Sequence, residues 1–229
     1  MMTLLEAIQA RHSVRHYLSR PLSSEIVETL QQEITRCNRE GHLHIQLVLN
    51  ERKGFSGLFA YGAFSGVENY LVMAGEKADD LDERIGYYGE KLVLLARQLG
   101  LGTCWAGLSY RKVKGTYRLE SGEKIGCMIA LGYPDDPGRK LKRKSVEEVS
   151  NVSISTPAWF RQGVEAALLA PTAINQQKFS FEYLPPQKDE KPQVRANRGF
   201  SLVGYTRMDL GIAKLHFEIG AGKDNFQWE

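Results

Sequence analysis

The 229-residue chain is 42% hydrophobic and 25% charged, with a formal net charge of +3, which is the composition of a globular protein with room for one large core or two closely packed halves. Its longest apolar stretches, such as Ile125 to Leu131, are of strand length and offer no membrane span, and so modest a charge supports no nucleic-acid partner. Cys37, Cys104 and Cys127 form no close-spaced zinc or redox pair and read as reduced cytoplasmic thiols, while Met1-Met2-Thr3-Leu4-Leu5-Glu6 lacks the pattern of a secretory signal.

Thr3 to Gln9 predicts a short amphipathic helix with Leu4, Leu5 and Ile8 on one face. It runs into Arg11-His12-Ser13-Val14-Arg15-His16-Tyr17, where alternation puts Arg11, Ser13 and Arg15 on the same side of an extended segment. Two guanidinium forks around a hydroxyl suit a phosphate, although taken alone a solvated basic turn is the commoner use of such residues. Pro21 to Glu25 opens a second helix capped by Ser23 or Ser24, with Ile26, Val27, Leu30 and Ile34 inward, ending near Asn38 to Gly41. His44 to Leu49 alternates as a strand. The glycine-bearing Glu51 to Gly66 is a long loop suited to covering a ligand or to remaining mobile. Glu68 to Ala74 is a second strand, and Asp80 to Leu99 a long helix stopped by Gly100-Leu101-Gly102.

Thr103-Cys104-Trp105-Ala106-Gly107 reads as a tight turn that could bring N–H groups against a planar ligand, a buried core turn being the ordinary alternative. Ile125 to Leu131 is a buried strand. Arg139 to Lys144 carries five basic residues in six, a run that is usually a solvated tail but here follows a strand end. Ser145 to Thr156 connects to a second half. There Trp159 to Leu169 has helical spacing, Pro171 stops it, and Ala170-Pro171-Thr172-Ala173-Ile174-Asn175-Gln176-Gln177 leads into the alternating strand Lys178 to Tyr183. The uncharged donors and acceptors Thr172, Asn175 and Gln177 suit the edge of a flat heterocycle, although an ordinary helix-to-strand loop is the commoner reading of the turn alone. Pro185 to Pro192 is a polar loop, Phe200 to Val203 a strand, and Met208 to Ile219 marks the last helix. Phe226-Gln227-Trp228-Glu229 carries no sequence signal.

The two halves share an order of elements. Helix 24–37 and strand 44–49 answer helix 159–169 and strand 178–183, and strand 68–74 with the helix to Gly100 answers strand 200–203 with the helix to Gly220. Only the first half has the Arg-x-Ser-x-Arg stretch and only the second the Pro-Thr-x-x-Asn-x-Gln turn, as a fused dimer with one surviving site would.

Arg11-His12-Ser13-Val14-Arg15, the 170–177 turn, and Gly89-Glu90-Lys91-Leu92 through Leu99-Gly100-Leu101-Gly102-Thr103-Cys104-Trp105 together resemble the FMN-dependent nitroreductase-like flavoproteins. The chain departs from ordinary members in one respect: Cys37 to His42, after the second helix, lacks the ring-holding turn, which comes some 130 residues later. It thus resembles the single-chain, pseudo-dimer branch, although the tryptophan often found after that turn is replaced by Lys178-Phe179. The resemblance implies an α+β (α/β sandwich) nitroreductase-like fold. Its pseudo-symmetric halves, 1–150 and 151–229, would each have a mainly antiparallel sheet flanked by helices. It implies about one FMN per chain, with the phosphate on Arg11, Ser13 and Arg15, joined by His12, Lys142 and Arg143. Pro171, Thr172, Ala173, Asn175 and Gln177 would meet the ribityl chain or ring, and the backbone of Ala106 or Gly107 the flavin N5. The implied activity is cytoplasmic hydride transfer from NAD(P)H through FMN to a small nitroaromatic or quinone-like acceptor, with no side-chain acid or base and no metal. A flavin-binding protein without reductase activity, a flavin-consuming enzyme and a cofactor-free domain stay open, as does association of the monomer into a homodimer.

Overall fold

A computed structural model describes residues 2–56, 64–138, 141–186 and 190–229. Helix α1, Leu4–Ala10, starts on a capping box in which Thr3 Oγ1 accepts from the Glu6 N–H at 3.2 Å and the Glu6 carboxylate accepts from the Thr3 N–H at 2.7 Å. Helix α2, Ser24–Gly41, is capped by Ser23, buries Leu30, Ile34 and Cys37, and ends where His42 turns left-handed at φ 47°. The first half continues through β1 (Gln46–Val48), β2 (Asn69–Glu76), α3 (Leu81–Gln98), β3 (Gly102–Ala106) and β4 (Glu123–Gly132). The second has α4 (Ala158–Ala167), β5 (Phe179–Leu184), β6 (Gln193–Arg198), α5 (Thr206–Ala221) and β7 (Gln227–Trp228).

The first sheet is antiparallel in the order β1-β2-β4-β3, and its two faces bury Ile129 and Met73 on one side and Tyr70 and Met128 on the other. The second has the order β5-β6-β7, antiparallel between β5 and β6 and parallel between β6 and β7. Helices flank both sheets, so the fold is α+β, as expected. None of the helices among the described residues is long and apolar enough to cross a membrane.

Two local expectations are corrected. Thr103 to Ala106 is not a turn but most of edge strand β3, because the segment is covered on both sides and pairs Gly102–Ala106 with Gly132–Met128. Phe200 to Val203 is not a strand: Phe200 is 81% and Leu202 94% exposed, and the strand lies earlier, at Gln193–Arg198, where Val194 is the fully buried residue. The C-terminal Gln227–Trp228 pairs in parallel with β6, and the Trp228 ring lies 5.4 Å from that of Phe217. Residues 57–63 of the expected covering loop, 187–189 of the polar loop, and Arg139 and Lys140 of the basic run lie outside the described residues.

Helices α3 and α5 cross at backbone contact. A Cβ on Gly86 would come within 2.1 Å of the Met208 carbonyl oxygen, and one on Gly211 within 2.0 Å of the Glu83 carbonyl oxygen. The contact is reciprocal: α3 presents a glycine to α5 one turn from where α5 presents a glycine to α3.

Candidate functional site

Residues 11–17 leave the end of α1 extended and lie along the edge of β3, where the Val14 N–H donates to the Thr103 carbonyl at 2.9 Å and Ser13 bridges Thr103 in parallel. On their other side Arg15 and Ser65 are joined by the Ser65 N–H, which donates to the Arg15 carbonyl at 2.9 Å. From the second half, α4 stops before Pro171, and the following turn winds through Ile174 (φ 46°), Asn175 (φ 58°) and Gln177 (φ 45°). Three left-handed non-glycine residues in four positions are uncommon, and the conformation is least favourable for the β-branched Ile174.

These two segments form opposite walls of one cleft with a polar and an apolar end. The polar cavity, of about 380 Å³, is lined by Arg11, His12, Ser13, Arg15, Asp136, Arg143, Pro171, Thr172 and Asn175 among others. The apolar cavity, of about 270 Å³, adds Trp105, Gly107, Leu108, Val203, Met208 and Ile212. Ser13, Arg15, Pro171, Thr172 and Ile174 belong to both, so the two cavities adjoin.

Of the residues singled out from sequence, Arg11, His12, Ser13, Arg15, Arg143, Pro171, Thr172 and Asn175 meet at the polar end, and Gly107 and Ala173 at the apolar end. Ala106, Lys142 and Gln177 line neither cavity. Ala106 is buried in β3. Gln177 is 5% exposed and its amide is committed elsewhere: Nε2 donates to the Lys142 carbonyl at 3.1 Å and to that of Asn175 at 3.3 Å, and Oε1 accepts from the Lys144 N–H at 3.0 Å. The Lys142 carbonyl accepts also from Asn175 Nδ2 at 2.7 Å.

Sequence reasoning missed the carboxylates around the cleft. Glu90 on α3 is fully buried; it accepts from Trp105 Nε1 at 3.0 Å, lies 2.9 Å from His216 Nε2, and is 3.9 Å from Arg11 Nε. Burial lowers the Arg11 pKa while Glu90 opposes that shift, and Arg11 Nε, though buried, has no hydrogen-bond partner among the described residues. Asp136 accepts from the Gly138 N–H at 2.7 Å and the Arg15 N–H at 3.4 Å, contacts that hold its carboxyl below the usual range, the Gly138 bond contributing most. Its carbonyl oxygen accepts from His12 Nε2 at 3.1 Å. Asp209 underlies the turn from α5. Glu90 entered the sequence reading only within the Gly89-Glu90-Lys91-Leu92 stretch that carries the family resemblance, and nothing local marks the other two.

Two sheets bridged by a backbone-close helix pair, with a cleft between the N-terminal segment and the second-half turn, define a protein of the nitroreductase-like class. Residues 3–221 match the family model described as "Putative TM nitroreductase", and the chain belongs to that family. It is similar to the crystal structure of a nitroreductase-type protein from Thermotoga maritima, with 24% identity over 97% of this chain and 85% of that one and a TM-score of 0.68. It is also similar to one from Desulfovibrio desulfuricans in complex with FMN, with 16% identity, 67% and 96% coverage and a TM-score of 0.52. Nitroreductase A from Vibrio parahaemolyticus shares 19% identity over 64% of this chain and 75% of its own, at a TM-score of 0.52. No curated protein matches the sequence.

Proposed function

We propose that the chain is an FMN-dependent oxidoreductase of the nitroreductase type that uses NADH or NADPH to reduce a small electron-poor acceptor, nitroaromatic or quinone-like, in the cytoplasm. The observation that carries this reading is one continuous cleft, cationic at one end and apolar at the other, between the Arg11–Arg15 stretch and the 171–177 turn. The cofactor suits the residues present. Arg11, Arg15 and Arg143 all line the polar cavity, so a phosphate there would meet three guanidinium groups suited to charge-assisted hydrogen bonds.

Bound FMN would supply the two-electron chemistry, accepting hydride from the nicotinamide and passing it to the acceptor. The chain's own work is binding and orientation. Arg11, Ser13, Arg15 and Arg143 would neutralise the phosphate, with His12 packed beside them and held by the Asp136 carbonyl. Thr172 and Asn175 would meet the ribityl chain or ring edge, while Gly107, Leu108, Ile174 and Val203 would keep water from the apolar end. Gln177 and Lys142 take a different part here, as a clasp that ties the turn to the basic run. The reciprocal glycine crossing of α3 and α5 supports reading residues 1–150 and 151–229 as fused halves, so that one chain stands in for a dimer and binds one FMN.

The test is to mix purified protein with excess FMN, desalt it, record the visible spectrum, and then follow bleaching by NADH and NADPH in stopped flow. One retained flavin per chain, reduced by either donor, is expected. Loss of all flavin on desalting would sink the cofactor assignment. Flavin retained but reduced by neither donor would replace the reductase with a flavin-binding protein.

A further inference from the structure

The turn that faces the apolar cavity does not hold itself in place. Ile174, Asn175 and Gln177 are left-handed, and an L-residue persists in that region only where its surroundings overdetermine it. Within the turn the Gln177 N–H donates to Thr172 Oγ1 at 3.1 Å. From outside, the turn is held at two ends: at Asn175 and Gln177 by the Lys142 carbonyl and by Lys144, and at Ala173 and Gln176 by α5. Asp209, in its first turn and 3% exposed, accepts from the Ala173 N–H at 3.0 Å through Oδ1 and from Gln176 Nε2 at 2.7 Å through Oδ2. The same Gln176 amide donates to the Gly204 carbonyl at 3.0 Å, joining the turn to the loop that enters α5.

Both donors to Asp209 are neutral amides, and no cation is ion-paired with it among the described residues. The ionisable groups around it are few. The N-terminal segment offers Arg15, β3 offers Cys104, β4 offers Cys127 and the loop before α5 offers Tyr205, all lining the same cavity. On α5 itself the Arg207 guanidinium is engaged by the Asp79 carbonyl, and Asp82 of α3 is paired with Lys124 at 3.2 Å. Burial raises the two thiols and the Tyr205 phenol, keeping them neutral near pH 7. The carboxylate is therefore held in place by two amide donors alone, next to an apolar cavity.

We propose that Asp209 is a positioning residue: its ionised carboxylate holds the Ala173–Gln176 part of the cleft-facing turn in the binding geometry, and taking up a proton loosens that part and weakens binding of the cofactor. The inference rests on the FMN reading above. The chemistry is one of donor count. Both neighbours of the carboxylate are donors, so a proton adds a third hydrogen to the site and turns a charged acceptor into a weaker, neutral one for both bonds. Burial pushes the Asp209 pKa up to about 6, against the smaller opposing effects of the Gln176 and Ala173 hydrogen bonds. Because the folded value is raised above the ordinary 3.8, the stability contributed by the neutral form is complete below that value and is lost as pH rises through about 6. At neutral pH the ionised group thus works against the fold while it works for the turn, which separates this role from simple structural support.

The experiment compares wild type with Asp209→Asn, using FMN as the ligand and the Ala173 amide proton shift of the flavin-free protein as a readout independent of any cofactor. The substituted side chain has a single acceptor oxygen and turns an amide toward a donor, so FMN should bind about tenfold more weakly at pH 7.5, with no loss of thermal stability. The ratio of the two dissociation constants should fall toward one by pH 5. The ionisation of the FMN phosphate cancels in that ratio. In wild type the Ala173 shift should titrate near pH 6, and in the variant it should not. A ratio that stays constant across this range, or a wild-type Ala173 shift that does not titrate, overturns the inference. If neither protein binds FMN at any pH, the cofactor reading fails, and the Ala173 titration alone decides whether Asp209 clamps the turn.

Discussion

Arg11 and Arg15 line one cavity in opposite states of hydration. The Arg11 side chain is 11% exposed and sits beside a fully buried Glu90, whereas Arg15 lies open to solvent. Truncating them should therefore have different consequences. Arg15→Ala removes a phosphate donor at little cost to the fold, and a charge-assisted hydrogen bond of about 1.5–3 kcal/mol corresponds to about a 10- to 100-fold loss of FMN affinity. Titration of flavin fluorescence should show this with an unchanged melting temperature. Glu90→Leu should instead act on stability. It leaves Trp105 Nε1 without its acceptor, His216 Nε2 without its hydrogen-bond partner and Arg11 without the Glu90 carboxylate, and breaking such a buried charged contact costs about 3–5 kcal/mol. A urea midpoint indistinguishable from wild type would show that the Glu90 cluster holds nothing together. The residue scale is also where side-chain type misled. Gln177 and Thr172 look equally suited to a ligand in sequence, yet Gln177 is spent on Lys142 and Lys144 because those backbones pass within 3.1 Å of its amide.

Helices α3 and α5 decide how closely the halves approach. A side chain at Gly211 would overlap backbone, with the Glu83 carbonyl oxygen 2.0 Å and the Tyr87 nitrogen 2.9 Å from an added Cβ, so no rotamer change relieves it. Gly211→Val should destabilise by at least the 1–3 kcal/mol or so typical of overpacking, and it should also weaken flavin binding because α5 carries Met208 and Ile212 into the cleft. Equilibrium unfolding and flavin titration on the same variant check both. At the other end of the chain, β7 adds a parallel strand to β6 and sets Trp228 against Phe217, with the indole N–H donating to Glu218 at 2.7 Å. Removing residues 226–229 deletes Phe226 and Trp228 from the aromatic core, and the loss of even one large buried aromatic side chain costs about 3–5 kcal/mol. A truncated chain that melts with wild type would show that β7 is dispensable. The strand beside it was hidden from periodicity: β6 is mostly polar with Val194 fully buried, while the more apolar Phe200 to Val203 is exposed.

Across the whole molecule, the cleft has one wall from each half, so cofactor binding should stabilise both together. At a free FMN concentration 100 times the dissociation constant, the gain is about 2.7 kcal/mol by mass action. Calorimetry should show one transition moving upward as FMN is added, with saturation at one flavin per chain. Two transitions, of which FMN moves only one, would mean that the halves unfold independently and would remove the cleft from their seam.

What was legible in the sequence was local. Apolar spacing located α2, α3, α4 and α5, Pro171 and Gly100 marked where helices stop, and alternation found β5 and the extended 11–15 segment, because each depends on neighbours a few residues away. The pairing of an N-terminal cationic stretch with a distant polar turn was legible only through family resemblance. The tertiary structure alone decided which groups remain available to a ligand. Whether an amide is spent, as at Gln177, or a guanidinium left short of a partner, as at Arg11, depends on chain segments that meet through space after dozens of intervening residues. The carboxylates Glu90, Asp136 and Asp209 took their roles in the same way, since burial and donor count are properties of the packed neighbourhood rather than of the residue.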